Sequence, residues 1–182
     1  MPEREAAARS AAGAGGLAQL FTFRVGGEDY AIDIMRVREA INPLPVTPVP
    51  RAPPFVEGVI RLRGDVIPVL DVRRRLGLPV GPATRKTKIL VVHVAGRRVG
   101  LVVDEVTEVL RIPRAEIRPS PGLVEGGGPR FFLGVCGGEA SGGGRRGATR
   151  LRLLLNVRAL LEATSPGEAE AVRSEAESTR RT

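Results

Sequence analysis

The chain predicts a mainly all-β fold, arranged as two small barrels or as one sandwich. Three observations carry that prediction. Short Val/Ile/Leu/Phe runs recur along the chain, separated by turn residues at the spacing of small β domains. Glycine-containing turns join several of these runs as hairpins. Helical spacing is confined to a few short segments.

The elements follow in chain order. Residues 1–18, rich in Ala and Gly with mixed charge, read as a disordered leader. LFTFRV (20–25) is a strand, Gly-Gly a two-residue turn, and EDYAID (28–33) the return strand. IMRVREAI (34–41) has apolar Ile34, Met35, Val37 and Ile41, a spacing that suits a short helix or irregular crossover better than a strand. The proline-punctuated 42–54 is an extended connection that cannot be a central strand. VEGVIRLRGDVIPVLDV (56–72) is a hairpin of two apolar strands, and RRRLGLP (73–79) closes it with a helical turn.

The pattern then restarts. KILVVHV (88–94), VGLVVDEV (99–106) and VTEVLRI (106–112) are strands, with a bend near Asp104 and Glu105. PRAEIRP (113–119) makes one helical turn. RFFLGVCGG (130–138) and TRLRLLLNV (149–157) form a last pair, joined by a long, flexible, basic linker. A helix over 156–163, with Asn156 as N-cap, closes the folded part, 19–164. The strands sort by spacing into two sets, 20–80 and 85–155, and 165–182 reads as a disordered tail.

Bulk properties narrow the function classes. A chain of 182 residues can bury roughly 70% of its unfolded surface as one domain, without a disulfide or metal staple. The single Cys136 can form neither an internal bridge nor a zinc cluster and reads as a buried thiol. No secretory signal is visible at the start, and no run approaches the roughly 18 apolar residues of a membrane span. The expectation is a soluble, cytoplasmic protein with no membrane insertion. The net charge of +8 rests almost wholly on scattered arginines, since only Lys86 and Lys88 are lysines. Aromatics are 3%, with no Trp, so platforms for stacking bases are nearly absent and direct nucleic-acid binding is not expected.

A search for catalytic chemistry finds none. His93, the only histidine, lies in an apolar strand without a nucleophile beside it in sequence and reads as structural. GGEASGGGRRG (137–147) lacks the Gly-Lys-Ser/Thr ending of a phosphate loop and runs into a strand, not a helix. The carboxylate pairs carry no calcium-loop spacing and no His/Cys ligand set. No cofactor, metal or catalytic residue is assigned, and the protein is read as a non-enzyme.

Three blocks carry a resemblance. VGGEDYAIDIMRVREAI, TPVPRAPPFVEGVIRLRGDVIPVLDVRRRLGL and VGLVVDEVTEVLRIPRAEIRP are together similar to the CheW family of bacterial chemotaxis coupling proteins. The resemblance spans about Gln19 to Ala163. It implies two small five-stranded, SH3-like β-barrel lobes packed together, with a short C-terminal helix. It also implies a non-enzymatic adaptor that couples the cytoplasmic tip of a chemoreceptor to the regulatory domain of a CheA-type histidine kinase, beneath a membrane-anchored receptor array. The same fold serves surface-motility and pilus pathways. A basic barrel that binds nucleic acid is a further, separate reading. Two departures stand out: Arg61 replaces the family's Asn before Leu-Arg-Gly, and the linker near 137–148 is longer than the family's turn.

The resemblance also implies site residues. Ile34 and Val37 match a wall of the receptor-binding groove, with Val102 and Val103 as contributions from the second lobe. Glu39 and Arg63 match a pair beside that groove, an ion pair expected to set geometry more than stability. Gly58 matches a glycine near the kinase-facing end of the first lobe. Two further residues are read directly. Gly64 lets the 56–72 hairpin turn with positive φ. Pro68 removes a ladder donor, so its strand is expected to lie at a sheet edge or to carry a bulge, with a partner protein as the expected cover.

Overall fold

A computed structural model describes residues 15–119, 131–138 and 150–162. Residues 1–14, the 139–149 linker and everything after 162 lie outside the described residues, and with them nearly all of the expected leader and tail. Eleven strands are described: β1 (Leu17–Val25), β2 (Glu28–Asp33), β3 (Val37–Ile41), β4 (Val56–Leu62), β5 (Asp65–Asp71), β6 (Lys88–Val94), β7 (Arg97–Val103), β8 (Glu105–Pro113), β9 (Arg118–Pro119), β10 (Phe132–Gly138) and β11 (Arg150–Leu155). Two short helices, α1 (Val72–Arg75) and α2 (Val157–Leu161), complete the set with 3-10 turns at Ile34–Arg36 and Arg114–Glu116. The mainly β reading holds. None of the described helices is long and apolar enough to cross a membrane.

The strands form two sheets, in the orders β8-β1-β2-β11-β10-β9 and β3-β6-β7-β5-β4. This corrects the division into 20–80 and 85–155. The lobes interleave: β1 and β2 join the late strands, while β3 to β5 join β6 and β7. Strand spacing alone carries no information on pairing, because β1 to β8 and β2 to β11 are contacts between distant parts of the chain. The chain enters the five-stranded sheet after Asp33 and leaves it at Asp104. Asp104 pins that exit: its N–H donates to the Arg24 carbonyl (2.9 Å), its Oδ2 accepts from the Gly26 N–H (2.8 Å), and Arg73 pairs with Oδ1. The leader reading is also trimmed, since β1 begins at Leu17 and Ala18 is already buried.

Burial explains why the strands read as apolar runs instead of a clean alternation. One face of the five-stranded sheet curls over Ile60, Leu62, Ile67, Val69, Ile89 and Val91, with Leu44 and Val46 from the proline-rich connection packed against them. The opposite face of β6 and β7 presents Leu90, Val92, Val99, Leu101 and Val103 to Phe23, Val25 and Ile32 of the six-stranded sheet. That sheet encloses a third cluster of smaller side chains, including Ala18, Leu20, Ala31, Cys136 and Leu154. Central strands buried on both faces lose their polar alternation. Cys136 is fully buried as expected, and burial pushes its thiol pKa up.

Two local expectations are corrected. Only Ile34–Arg36 of the 34–41 segment is helical; Val37–Ile41 is strand β3, an edge strand whose half-exposed alternation imitates helical spacing. Pro68 lies on β5, between β7 and β4, not at an edge. Its partner across the hairpin, Val59, directs its N–H and C=O outward to Thr47, so Val59 and Pro68 face one another without hydrogen bonds. The proline nitrogen therefore points toward β7, where parallel pairing begins only at Val69 and Gly100. The missing donor costs no ladder bond. The bulge is on β4 instead, at Glu57.

The remaining helical expectations hold. Asp71 caps α1 by accepting from Arg73 N–H (2.8 Å) and Arg74 N–H (3.3 Å), and Asn156 caps α2 through Ala159 N–H (3.3 Å). Arg75 ties the two helices together. Its guanidinium carbon lies 4.1 Å from the Phe55 ring centre and 5.0 Å from that of Phe131, while Nε donates to the Leu160 carbonyl (2.9 Å) and Nη2 to that of Glu162.

Candidate functional site

The crossing from β2 to β3 builds the most exposed apolar feature of the five-stranded lobe. Asp33 ends β2 and accepts a hydrogen bond from Met35 N–H (2.9 Å), which holds Ile34–Arg36 as a single tight turn. Ile34 and Val37 are half-buried, whereas Met35 between them is 83% exposed. The turn packs between β1 and β6, one strand from each sheet, so it sits at the lobe junction. A flexible thioether held in solvent at such a junction is adaptable contact surface.

Two residues further on, β3 meets the tip of the β4–β5 hairpin. Arg63 and Gly64 occupy its two central positions with φ of 51° and 88°, the left-handed pair that a two-residue hairpin requires. Gly64 thus has its expected role. The same turn throws Arg63 across the open side of the sheet, where Nη1 and Nη2 donate to Glu39 Oε1 (2.6 Å) and Oε2 (2.7 Å). This bidentate hydrogen bond, with the positive charges of Arg63 and Arg98, holds the Glu39 carboxyl below its ordinary pKa. The Arg63 pKa is raised in turn by the hydrogen bond and charge of Glu39. The expected pair is formed.

Other expected residues are placed differently. Val103 is fully buried between the sheets and offers no surface. Val102 is half-buried and lines a crevice with Asp71, Thr87 and Asp104, away from Ile34. Both belong to β7, in the same sheet as β3, so neither is a contribution from the opposite lobe. Gly58 is buried, with φ of 145°. A Cβ there would collide with the carbonyl oxygen of Thr47 and lie 2.8 Å from its carbon and 2.9 Å from Val46 Cγ1. It seats the proline-rich connection on β4 beside the Thr47–Val59 bridge (2.8 and 2.9 Å). Arg61 is exposed opposite Val66, so its charge stays in solvent.

The sequence reading does not include Met35, Arg38, His93 and Arg98 in the site. Along β6, Ile89 and Val91 face the barrel interior, and the two-residue period carries His93 onto the same face at its mouth. Arg98 stands opposite His93 on β7 and pairs with Asp65. Arg38 is the extra residue of a β3 bulge. Arg38, Glu39, His93, Gly96 and Arg98 line one shallow depression. The asymmetry of the Met35 turn, one long apolar residue after an Asp cap, was the only local signal. Among the described residues no group of three His, Cys, Asp or Glu side chains is placed to hold a metal ion.

Comparison with known proteins agrees with this architecture. The family model of the CheW-like domain matches residues 19–165. The chain is 40% identical over 117 residues to a chemotaxis protein CheW of Rhizobium meliloti, covering 64% of this chain and 76% of that one. It is 40% identical over 128 residues to protein FrzA of Myxococcus xanthus, covering 68% and 76%. The crystal structure of the scaffolding protein TtCheW from Thermoanaerobacter tengcongensis superposes with a TM-score of 0.71 at 28% identity, covering 81% of this chain and 94% of that one.

Proposed function

The chain belongs to the CheW-like family of chemotaxis coupling proteins, and from that premise we propose that it is a non-enzymatic adaptor between a chemoreceptor's cytoplasmic tip and the regulatory domain of a CheA-type histidine kinase. It works in the cytoplasm, at membrane-anchored receptors. The receptor side is the Ile34–Glu39 segment with Arg63. The observation that carries this reading is the Met35 turn: an apolar side chain 83% exposed, fixed by the Asp33 cap and flanked by the locked Glu39–Arg63 pair. Such a preformed patch can accept the apolar face of a helical hairpin without ordering a loop first. The kinase side is assigned to the region around Gly58, which acts by seating the connection over β4 and not through its own buried surface.

The test is binding of the purified chain to two fragments from its own genome, a receptor signalling tip and a kinase regulatory domain. Met35→Ala and Arg63→Ala should weaken the first and leave the second unchanged. Loss of neither, or equal loss of both, would remove the receptor assignment. A second reading keeps the adaptor role but places it in a surface-motility or pilus pathway. It is favoured by a relative at 40% identity that bears the name FrzA. Parallel titration with the kinase of each chemosensory gene cluster separates the two.

A further inference from the structure

The mouth of the five-stranded barrel has an excess of positive charge that the ion pairs do not consume. Its two carboxylates are committed: Glu39 to Arg63 through both oxygens, and Asp65 to Arg98. Arg38 is exposed and makes no hydrogen bond or ion pair among the described residues. His93, half-buried at the floor of the same depression, has no hydrogen-bond partner there either. The β3 bulge puts Arg38 and Glu39 opposite the single residue Val91, aiming Arg38 beside the carboxylate that Arg63 already neutralises. A guanidinium fork, an imidazole and the half-satisfied Arg98 therefore face one open concavity walled by a locked ion pair.

We propose that this concavity receives a carboxylate side chain of the docking partner, with Arg38 as its bidentate donor and His93 and Arg98 as the flanking donors. The inference rests on the adaptor reading, since it specifies the chemistry of the receptor-side contact. A carboxylate suits the site because a planar fork with no acceptor of its own recognises two oxygens in one plane. A protein partner suits it better than a nucleic acid. Arg38 lies three residues along the chain from the exposed, apolar Met35, and no Phe, Tyr or Trp lines the concavity for stacking. Arg38 then selects, among helical tips that fit the apolar turn, those carrying Asp or Glu one or two turns from the apolar anchor. Its role is specificity and association rate more than raw affinity.

The experiment titrates the full chain with the receptor signalling tip at low and at physiological salt, for wild type, Arg38→Glu and Met35→Ala. Arg38 is exposed and its side chain unbonded, so the substitution leaves the fold intact, checked by the thermal transition. The expected result is at least tenfold weaker binding by Arg38→Glu with a flattened salt dependence. Binding should return when one acidic residue of the tip is changed to Arg. Tip binding lost in Met35→Ala but unchanged in Arg38→Glu would overturn the carboxylate site and leave the adaptor reading standing. No tip binding by the wild-type chain would overturn both.

Discussion

Glu39 lies on the edge strand β3 and Arg63 in the turn of the β4–β5 hairpin at the other side of the same five-stranded sheet, yet they meet through two hydrogen bonds of 2.6 and 2.7 Å. The pair ties β3 to the hairpin tip, while the Thr47–Val59 bridge occupies the outer side of β4. An exposed edge is a site for unwanted pairing, and a charged clamp blunts it. The pair therefore fixes geometry at a place where the sheet has no ladder of its own.

Breaking the clamp should move geometry and little else. Arg63→Ala should leave the melting temperature nearly unchanged, because exposed pairs stabilise little. It should speed amide exchange in β3 and at the hairpin tip. The sign of the pH effect follows from the lowered Glu39 pKa: its contribution is present above the ordinary carboxylate range and is lost as pH falls through the depressed value. Hydrogen exchange at neutral pH and at pH about 3, where carboxylates protonate, checks both. Equal protection in wild type and variant would remove the clamp role.

Gly58→Ala should destabilise the protein by about 2–4 kcal/mol, because the new Cβ meets backbone at Thr47 in a φ region that L side chains avoid. Urea unfolding measures it. A change below about 0.5 kcal/mol, the ordinary scale of surface substitutions, would show that the connection lifts off β4 without cost. The same collision makes Gly58→Asp a fold lesion first, so that variant alone cannot map a kinase contact.

Glu57, the bulge residue of β4, has its pKa raised by burial and then by the neighbouring charge of Asp71, with Arg74 opposing. A carboxyl with a raised folded pKa binds more protons folded than unfolded. Stability therefore falls as pH rises from the ordinary carboxylate range through the raised value. Glu57→Gln should flatten that slope and stabilise the protein at pH 7. An unchanged pH profile in denaturant titrations would refute the assignment.

Arg75→Met keeps an unbranched side chain over Phe55 but deletes the donors to the Leu160 and Glu162 carbonyls and the charge between the two rings. The expected loss is about 1–3 kcal/mol, with α2 fraying first. Chemical denaturation together with exchange at α2 amides reads both. Arg75→Lys should recover only part, since an ammonium cannot span both carbonyls and both rings.

Much of this was legible in the chain itself. The hairpin of 56–72 announces its turn by Arg-Gly-Asp between apolar runs, Asn156 announces α2, and the bend at Asp104 lies where two strand patterns meet without a spacer. The β3 segment is ambiguous in sequence because a short, half-buried edge strand carries too few residues to distinguish a period of two from one of three or four. Pro68 misled because its cost depends on which neighbour its nitrogen faces, which is a property of register.

Sequence by itself determined most of the strands, the 56–72 hairpin turn and the Asn156 cap, all of which depend on residues within a few positions of one another. Tertiary structure alone decided that the lobes interleave, that Val103 and Gly58 are buried, and that Arg38, His93 and Arg98 share one concavity with Glu39. The reason is physical. A strand's pattern is written in its own side chains, but its partner is chosen by the joint burial of distant segments, and no local rule encodes that choice.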